Sequence, residues 1–140
     1  MRTTLGTFLI TLLCIHNVYA QSNLSVVEQY IAAFNAHDVE AMLALSAPDV
    51  KWMSVAGQDI STETSSQTEL RAAMSSYFAS TPDARSSVRS IRQSGPFVYA
   101  VEEAFWTSGG MERSQCSVAV YELQYEKIQN VWYFREHRCE

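Results

Sequence analysis

A glutamate on a mostly apolar strand is the residue of this sequence best suited to chemistry. Residues 97–107 alternate as a β-strand does, and Glu102 shares one face with Trp106, a valine and two alanines. If that face lines a pocket, the apolar surroundings raise the pKa of the carboxyl group, which can then act as a general acid or base. The alternative is structural: Glu102 forms a salt bridge with Arg113 or Arg135.

The next predicted strand, residues 114–126, carries groups of the kind that orient a bound small molecule. Gln115, Ser117 and Tyr121 share one face of it with an alanine and a leucine. A few amide and hydroxyl groups among apolar side chains are typical of a ligand pocket. The spacing therefore predicts a pocket that has apolar walls and a small number of polar anchors.

Motifs for other chemistries are missing from the sequence. No two His, Cys or acidic residues have a recognised metal-ligand spacing, and His37 and His137 lie far apart in the chain. The sequence contains neither a glycine-rich phosphate loop nor a Gly-x-Ser-x-Gly nucleophile motif. We therefore expect no metal and no cofactor.

Helical patterns dominate the first half of the chain. Capping boxes that begin at Ser25 and Ser66 predict the starts of two helices, and residues 39–45 form a short helix between them. Residues 49–55 are strand-like, and residues 57–65 form a polar loop. The sequence thus predicts three helices before the main run of strands.

From residue 87 onwards the period of the apolar residues changes from 3.6 to 2. The predicted strands are residues 87–93, 97–107, 114–126 and 131–138. Because short turns join them, they should form an antiparallel meander. Helices followed by strands indicate an α+β fold, with the helices covering one face of a curved sheet.

The first twenty residues have the pattern of a cleavable secretory signal. Arg2 precedes an apolar run that ends at Ile15, and Ala20 closes a small-residue cleavage site. That run is shorter than the ~20 residues that span a bilayer. We expect residues 1–20 to be removed, leaving one domain, residues 21–140, in the periplasm or outside the cell.

The charge of the chain limits its partners. Fifteen acidic and ten basic residues give a net charge of −5, and the basic residues are not clustered. Such a surface argues against nucleic acid and against anionic membranes.

Two segments resemble a known superfamily. Residues 27–38, VEQYIAAFNAHD, and residues 47–52, APDVKW, resemble the opening of the nuclear-transport-factor-2-like superfamily, and its SnoaL-like and ketosteroid-isomerase-like branches are the most similar. The resemblance extends over residues 21–140. It implies a cone-shaped α+β domain with three N-terminal helices packed on a curved, mostly antiparallel sheet around an apolar pocket. The superfamily includes isomerases, dehydratases, cyclases and non-catalytic binding domains, so it implies a fold more firmly than a reaction.

The resemblance also assigns roles to individual residues. It matches Tyr30 and Tyr121 to the hydrogen-bond donors of ketosteroid isomerases, and Ser54 to their carboxylate base. A serine hydroxyl is no base near neutral pH, so that role is vacant and steroid isomerisation is not expected. The resemblance directs Trp52 and Phe134 into the pocket.

Cys116 and Cys139 are predicted to form a disulfide between the last two strands. A turn centred between Lys127 and Ile128 puts the two cysteines opposite each other. The resemblance places both on the outer face of the sheet, and export permits the bond. A one-residue shift of the turn would separate them.

These observations predict a small-molecule-binding domain whose ligand is unknown. One alternative is an isomerase, cyclase or dehydratase that uses Tyr30, Tyr121 and Glu102. A second alternative is a dimerisation domain without a ligand. We also expect a homodimer that pairs through an aromatic sheet face composed of Phe97, Tyr99, Phe105 and Tyr133.

Overall fold

The computed structural model describes residues 22–140; the predicted signal peptide lies outside the described residues. The described part contains three helices and six strands. In chain order these are α1 (Asn23–Asn35), α2 (Val39–Ala44), β1 (Ser46–Ala56), β2 (Asp59–Thr64), α3 (Gln67–Ser80), β3 (Arg85–Ser94), β4 (Phe97–Ser108), β5 (Met111–Gln124) and β6 (Lys127–Phe134). None of the described helices is long and apolar enough to cross a membrane.

All six strands belong to one sheet, in the order β2-β1-β6-β5-β4-β3. Only the β1–β6 pair is parallel; the other four pairs are antiparallel. The predicted α+β class and the predicted meander of the last four strands are confirmed. The helices are not all N-terminal, however, because α3 follows the β1–β2 hairpin.

Side-chain caps fix where the helices begin. Ser66 caps α3 by accepting the backbone N–H of Glu69 at 3.2 Å, and the Glu69 carboxylate accepts the backbone N–H of Ser65 at 2.7 Å. Helix α1 begins earlier than predicted, since Ser22 and not Ser25 is its N-cap. The Ser22 hydroxyl accepts the N–H of Ser25 at 3.2 Å.

The predicted polar loop at residues 57–65 is wrong, because Asp59–Thr64 forms strand β2. This strand lies at the edge of the sheet and is exposed along most of its length, Ile60 being 64 % exposed. An edge strand that is exposed to solvent on both faces lacks the alternation of apolar and polar residues by which strands are recognised in a sequence.

The predicted turn between β5 and β6 is also wrong. Tyr125 and Glu126 form a two-residue turn with positive φ at both positions, as expected of a tight hairpin. A bulge then changes the register between Glu122 and Leu123. As a result Ala119 pairs with Tyr133, which lies three residues earlier in β6 than the partner that the predicted turn would give it. An odd shift exchanges the two faces of β6. Tyr133 therefore faces the helices, whereas Trp132 and Phe134 face away.

The predicted disulfide is confirmed, but it does not join the last two strands. Cys116 and Cys139 are bonded with a Cα–Cα distance of 5.1 Å. Cys139 lies beyond the end of β6, in a C-terminal segment that pairs with β5 through one bridge between Cys116 and His137. The two cysteines are correctly paired although the β6 register was wrong, because the C-terminal segment pairs with β5 independently of β6.

The sheet has an inner face, which packs on the helices, and an outer face on the opposite side. The inner face and the helices form one apolar core that includes Val27, Leu70, Val98, Ala119 and Val131, all fully buried. The outer face carries Phe97, Tyr99, Val118 and Phe134, which are between 37 % and 46 % exposed. The core and the cavity described below both lie between the helices and the inner face of the sheet.

Candidate functional site

A cavity of about 450 Å³ lies between helices α1 and α3 and the inner face of the sheet. This volume is typical of pockets that hold small molecules. Aromatic rings form much of its wall. The ring of Trp52 on β1 lies 6.3 Å from that of Tyr30 on α1 and 5.1 Å from that of Tyr133 on β6.

Glu102 on β4 is the most buried acidic side chain in this cavity, with 6 % of its surface exposed. Tyr121 donates a hydrogen bond to its Oε1 at 2.5 Å. Tyr133 at 3.0 Å and Ser86 at 3.2 Å donate to Oε2. The hydroxyls of Tyr121 and Tyr133 are also 2.9 Å apart. Four elements of the sheet's inner face, β3 to β6, thus converge on one carboxyl group.

The number of hydrogens in this cluster favours a protonated carboxyl group. Four oxygen–oxygen contacts join Glu102, Tyr121, Tyr133 and Ser86. The three hydroxyl groups supply three hydrogens, so an ionised Glu102 leaves one contact without a hydrogen. When Glu102 carries a proton, it donates to one phenol, which then donates to the other, so that all four contacts have a hydrogen.

Burial also favours the protonated form of Glu102. Desolvation raises the pKa above its ordinary value, and the hydrogen bonds from Tyr121, Tyr133 and Ser86 oppose that rise only in part. Burial first, and then the charge of Glu102, also raise the pKa of Tyr121 and Tyr133 well above the ordinary tyrosine value. Both phenols therefore keep their protons, and Glu102 is the group of this cluster that can release one.

Two donors beside this cluster have no hydrogen-bond partner within residues 22–140. They are the Tyr30 hydroxyl and the Trp52 indole N–H, and the Tyr30 side chain is 98 % buried. Burial is the main cause that raises the pKa of Tyr30, and the charge of Glu102 adds to the rise. The nearby Trp52 indole N–H opposes it without reaching hydrogen-bond geometry. Unpaired buried donors are rare in folded proteins. Both side chains form part of the cavity wall.

Comparison with known proteins assigns the chain to a family. Residues 27–131 match the model of the SnoaL-like domain. The chain belongs to this family. No curated protein matches it.

Solved structures share the fold of this SnoaL-like domain. An uncharacterised cystatin-fold protein from Novosphingobium aromaticivorans is 24 % identical, with 83 % of this chain and 100 % of that one covered and a TM-score of 0.72. An NTF2-like protein of unknown function from Burkholderia pseudomallei is 20 % identical over 84 % and 90 % of the two chains, with a TM-score of 0.67. TerC, co-crystallised with polyporic acid, is 18 % identical over 79 % and 88 %, with a TM-score of 0.68.

Most of the predicted site residues of the SnoaL-like domain line one cavity. Those that the structure brings together are Tyr30, Trp52, Ser54, Glu102, Gln115, Ser117 and Tyr121. The salt bridge considered for Glu102 is wrong: its partners in the described chain are hydroxyl groups, and the ion pair on β4 belongs to the neighbouring Glu103, which contacts Arg89 at 3.2 Å.

Two predicted pocket residues lie elsewhere. Phe134 is on the outer face and 42 % exposed, because the register of β6 differs from the predicted one. Trp106 shares the inner face with Glu102 but lies nearer the end of β4, where it lines an adjoining cavity of about 190 Å³ that shares Tyr77, Ala104 and Gln115 with the main one.

Three polar residues of the main cavity could not be placed there from the sequence. Tyr133 lines the cavity, although the resemblance, which directs Phe134 inward, implies the outer face for it. Val131 and Tyr133 alternate with two equally apolar aromatic residues, Trp132 and Phe134, so the apolar pattern does not say which pair is inside. Ser86 precedes the predicted start of its strand, and Glu63 lies in the predicted loop. Only strand pairing brings these side chains to the cavity.

Ligand atoms suited to a metal come together at one place in residues 22–140. They belong to Glu103, Cys116 and Cys139 and lie within 4.8 Å of one another. Both sulfur atoms are in the disulfide, so neither is available as a thiolate ligand.

Proposed function

We infer that the chain binds a small, mostly apolar molecule that carries a hydrogen-bond acceptor such as a carbonyl oxygen. The observation that carries this inference is that Tyr30 lines the cavity while its buried hydroxyl has no internal partner. A buried donor left unpaired costs about 1–3 kcal/mol, and a bound acceptor removes that cost. The open volume of about 450 Å³ favours a ligand over a pocket filled by the domain's own side chains.

Two further observations support binding in an exported domain. TerC, which shares the fold, was co-crystallised with polyporic acid. The disulfide between Cys116 and Cys139 is of the kind that persists in oxidising compartments, which supports the proposed signal peptide and the location in the periplasm or outside the cell.

Tyr30→Phe tests the binding function. With the bicyclic ketone β-tetralone as the probe, we expect a 5- to 100-fold loss of affinity, about 1–3 kcal/mol, because the donor to the carbonyl is removed. The free energy of unfolding should stay the same or increase, since an unpaired buried hydroxyl is lost. Tryptophan fluorescence titration and thermal melting measure the two quantities.

Tyr77→Phe is the matched control for that experiment. Tyr77 lines the same cavity from α3 but is 36 % exposed, so water can satisfy its hydroxyl. Its removal should change the affinity less than about 3-fold. Equal affinities of the wild type and Tyr30→Phe would contradict the proposed donor role.

A second candidate function is acid–base catalysis of the isomerase, cyclase or dehydratase type. It is favoured by the Glu102 cluster, in which a buried carboxyl group with a raised pKa is bound by Tyr121, Tyr133 and Ser86. Carboxyl groups with this environment are suited to proton transfer near neutral pH. Tyr121 and Tyr133 hold the group in place.

The domain is further proposed to form a homodimer through the outer face of the sheet. Phe97, Tyr99, Val118 and Phe134 are partly exposed there, and Phe105 lies beneath the Arg85 guanidinium at 3.9 Å. The prediction that Tyr133 belongs to this face was wrong, because its side chain lines the cavity. Exposed apolar patches of this kind commonly mark interfaces.

Light scattering at micromolar concentration should give twice the mass of one chain. Val118→Lys, in the middle of the outer face, should give one chain mass, because a charge would be buried in the interface. Ile60→Lys is the matched control: Ile60 is 64 % exposed on the edge strand β2 and should not affect the mass. A monomeric wild type would refute the dimer.

A further inference from the structure

The outer face of the sheet carries a cluster of one glutamate and two cysteines. Glu103 on β4 faces away from the cavity, because it alternates with Glu102, and it lies directly opposite Cys116 on β5. The C-terminal segment pairs with β5 through the Cys116–His137 bridge and brings Cys139 to the same place. A carboxylate oxygen of Glu103 and the two sulfur atoms lie within 4.8 Å of one another. We call these three residues the cysteine–glutamate cluster.

The carboxylate of this cluster is largely removed from water. Glu103 is 8 % exposed and Cys116 is 2 % exposed. A buried carboxylate needs a cation beside it, and Arg89 supplies one at 3.2 Å. The Arg89 side chain is itself about half exposed, so this cation can turn into solvent without being buried elsewhere. A metal ion that replaces it would keep the charge of Glu103 neutralised.

Arg89 also contacts the end of the chain. It is the extra residue of a bulge in β3, which interrupts the regular alternation of that strand. Its Nη2 donates a hydrogen bond to the main-chain oxygen of Glu140 at 3.3 Å. One arginine therefore holds both Glu103 and the residue that follows Cys139, and the C-terminal segment is kept beside the carboxylate.

The oxidation state of the two cysteines decides what this cluster can bind. A disulfide sulfur is no substitute for a thiolate as a metal ligand. After reduction the cluster contains two thiols and a carboxylate, and all three are ligands that Zn²⁺ accepts. Around tetrahedral Zn²⁺ such ligand atoms lie roughly 3.5–4 Å apart. Because the three atoms already lie within 4.8 Å, rotation of the side chains is enough to reach that spacing.

We propose that reduction of the Cys116–Cys139 disulfide converts the cysteine–glutamate cluster into a Zn²⁺ site. The two thiolates and the Glu103 carboxylate are the ligands, and water takes the fourth position. The metal then replaces the disulfide as the link between the C-terminal segment and β5. The site lies on the outer face of the sheet and does not depend on the binding function proposed above.

The reduction and the metal binding balance as two steps. A dithiol reductant attacks the sulfur of Cys139, which is more exposed than that of Cys116. The S–S bond of the protein breaks, a disulfide forms in the reductant, and its two protons and two electrons leave both cysteines as thiols. Zn²⁺ then forms two Zn–S bonds, and the two thiol protons are released to the solvent.

Metal analysis of the full chain tests the proposal. Protein is reduced with the phosphine TCEP, which adds no competing thiol, and is dialysed against Zn²⁺ under argon. We expect one Zn²⁺ per reduced chain and none per oxidised chain. Zn²⁺ should also raise the melting temperature of the reduced protein alone, because a ligand that binds the folded state stabilises it. Cd²⁺ in place of Zn²⁺ should give the ultraviolet charge-transfer band of thiolate ligands.

Glu103→Gln separates the folded site from two thiols in an unfolded chain. Since even the outer partners of metal ligands change the affinity about 10- to 100-fold, loss of this ligand should weaken Zn²⁺ binding by the reduced protein at least ~10-fold. Glu112→Gln is the matched control: this glutamate is also paired with an arginine, Arg85 at 2.9 Å, but lies outside the cluster. It should bind Zn²⁺ as the wild type does.

Three results would overturn the proposal. The first is a reduced wild type that takes up no Zn²⁺. The second is equal uptake by the double variant Cys116→Ser, Cys139→Ser, which would place the metal at other residues. The third is equal affinity of the reduced wild type and Glu103→Gln, which would mean that the thiols bind without the folded arrangement.

Discussion

Glu102→Gln is expected to slow the exchange of β-tetralone α-protons at least ~100-fold while leaving the affinity for the ketone nearly unchanged. Glutamine has the shape of a protonated glutamate. Its oxygen can accept a hydrogen bond from Tyr121 or Tyr133, and its NH2 group can donate within the same cluster. It cannot release a proton at neutral pH, so proton transfer alone is lost. NMR exchange rates and fluorescence titrations of the two proteins provide the comparison.

The pH dependence of stability provides a separate check on the state of Glu102. Its pKa is raised in the folded protein above an ordinary value of about 4.5, so the folded state binds the proton more tightly than the unfolded state does. The stability that this proton contributes is complete below that ordinary pKa and is lost as the pH rises toward the raised one.

The wild type should therefore lose thermal stability relative to Glu102→Gln as the pH is raised from 4.5. The surrounding groups do not titrate in this range, since Ser86 is a hydroxyl and burial raises the pKa of Tyr121 and Tyr133. If the variant instead melts lower at every pH and exchanges β-tetralone normally, Glu102 is a structural residue.

Loss of the disulfide should be the largest single change in stability. We expect the double variant Cys116→Ser, Cys139→Ser to lose about 3 kcal/mol of unfolding free energy, because the bond closes a loop between residues 23 positions apart. For a domain of this size the melting temperature should fall by roughly 10 °C or more. The bond also ties the C-terminal segment to β5, in addition to the Cys116–His137 bridge.

Thermal melting with and without a reductant measures this effect. The reductant should lower the melting temperature of the wild type to that of the double variant and leave the variant unchanged. Intact-mass analysis should show that the two thiols are protected in the unreduced protein. Equal melting temperatures of the oxidised wild type and the double variant would contradict a stabilising role.

The position of Glu102 illustrates what could be predicted from sequence. Strict alternation along residues 97–107 decides which side chains share a face, whatever the strand pairs with. The apolar pattern therefore placed Glu102 with Val98 and Ala100, and both lie in the core. Likewise, the capping box at Ser66 is local, and it placed the start of α3 correctly.

Features that depend on pairing between strands could not be predicted in this way. Both faces of residues 131–134 are apolar, so only the hairpin turn and the bulge after it decide that Tyr133 faces the cavity and Phe134 does not. Because β2 is mostly polar, the sequence did not predict it as a strand, and it did not predict that Glu63 lines the cavity.

The sequence by itself determined the α+β class, the family, the pair of cysteines that bond and the acidic residue at the centre of the site. The class and the face of Glu102 follow from local periodicity, and the family follows from the resemblance of residues along the chain. Cys116 and Cys139 are the two cysteines outside the predicted signal. Only the tertiary structure decided which hydroxyls surround Glu102, which donor of α1 is left unpaired and which second carboxylate reaches the cavity. The physical reason is that a one-residue change of register, or a single bulge, reverses the direction of a side chain without changing the local apolar pattern.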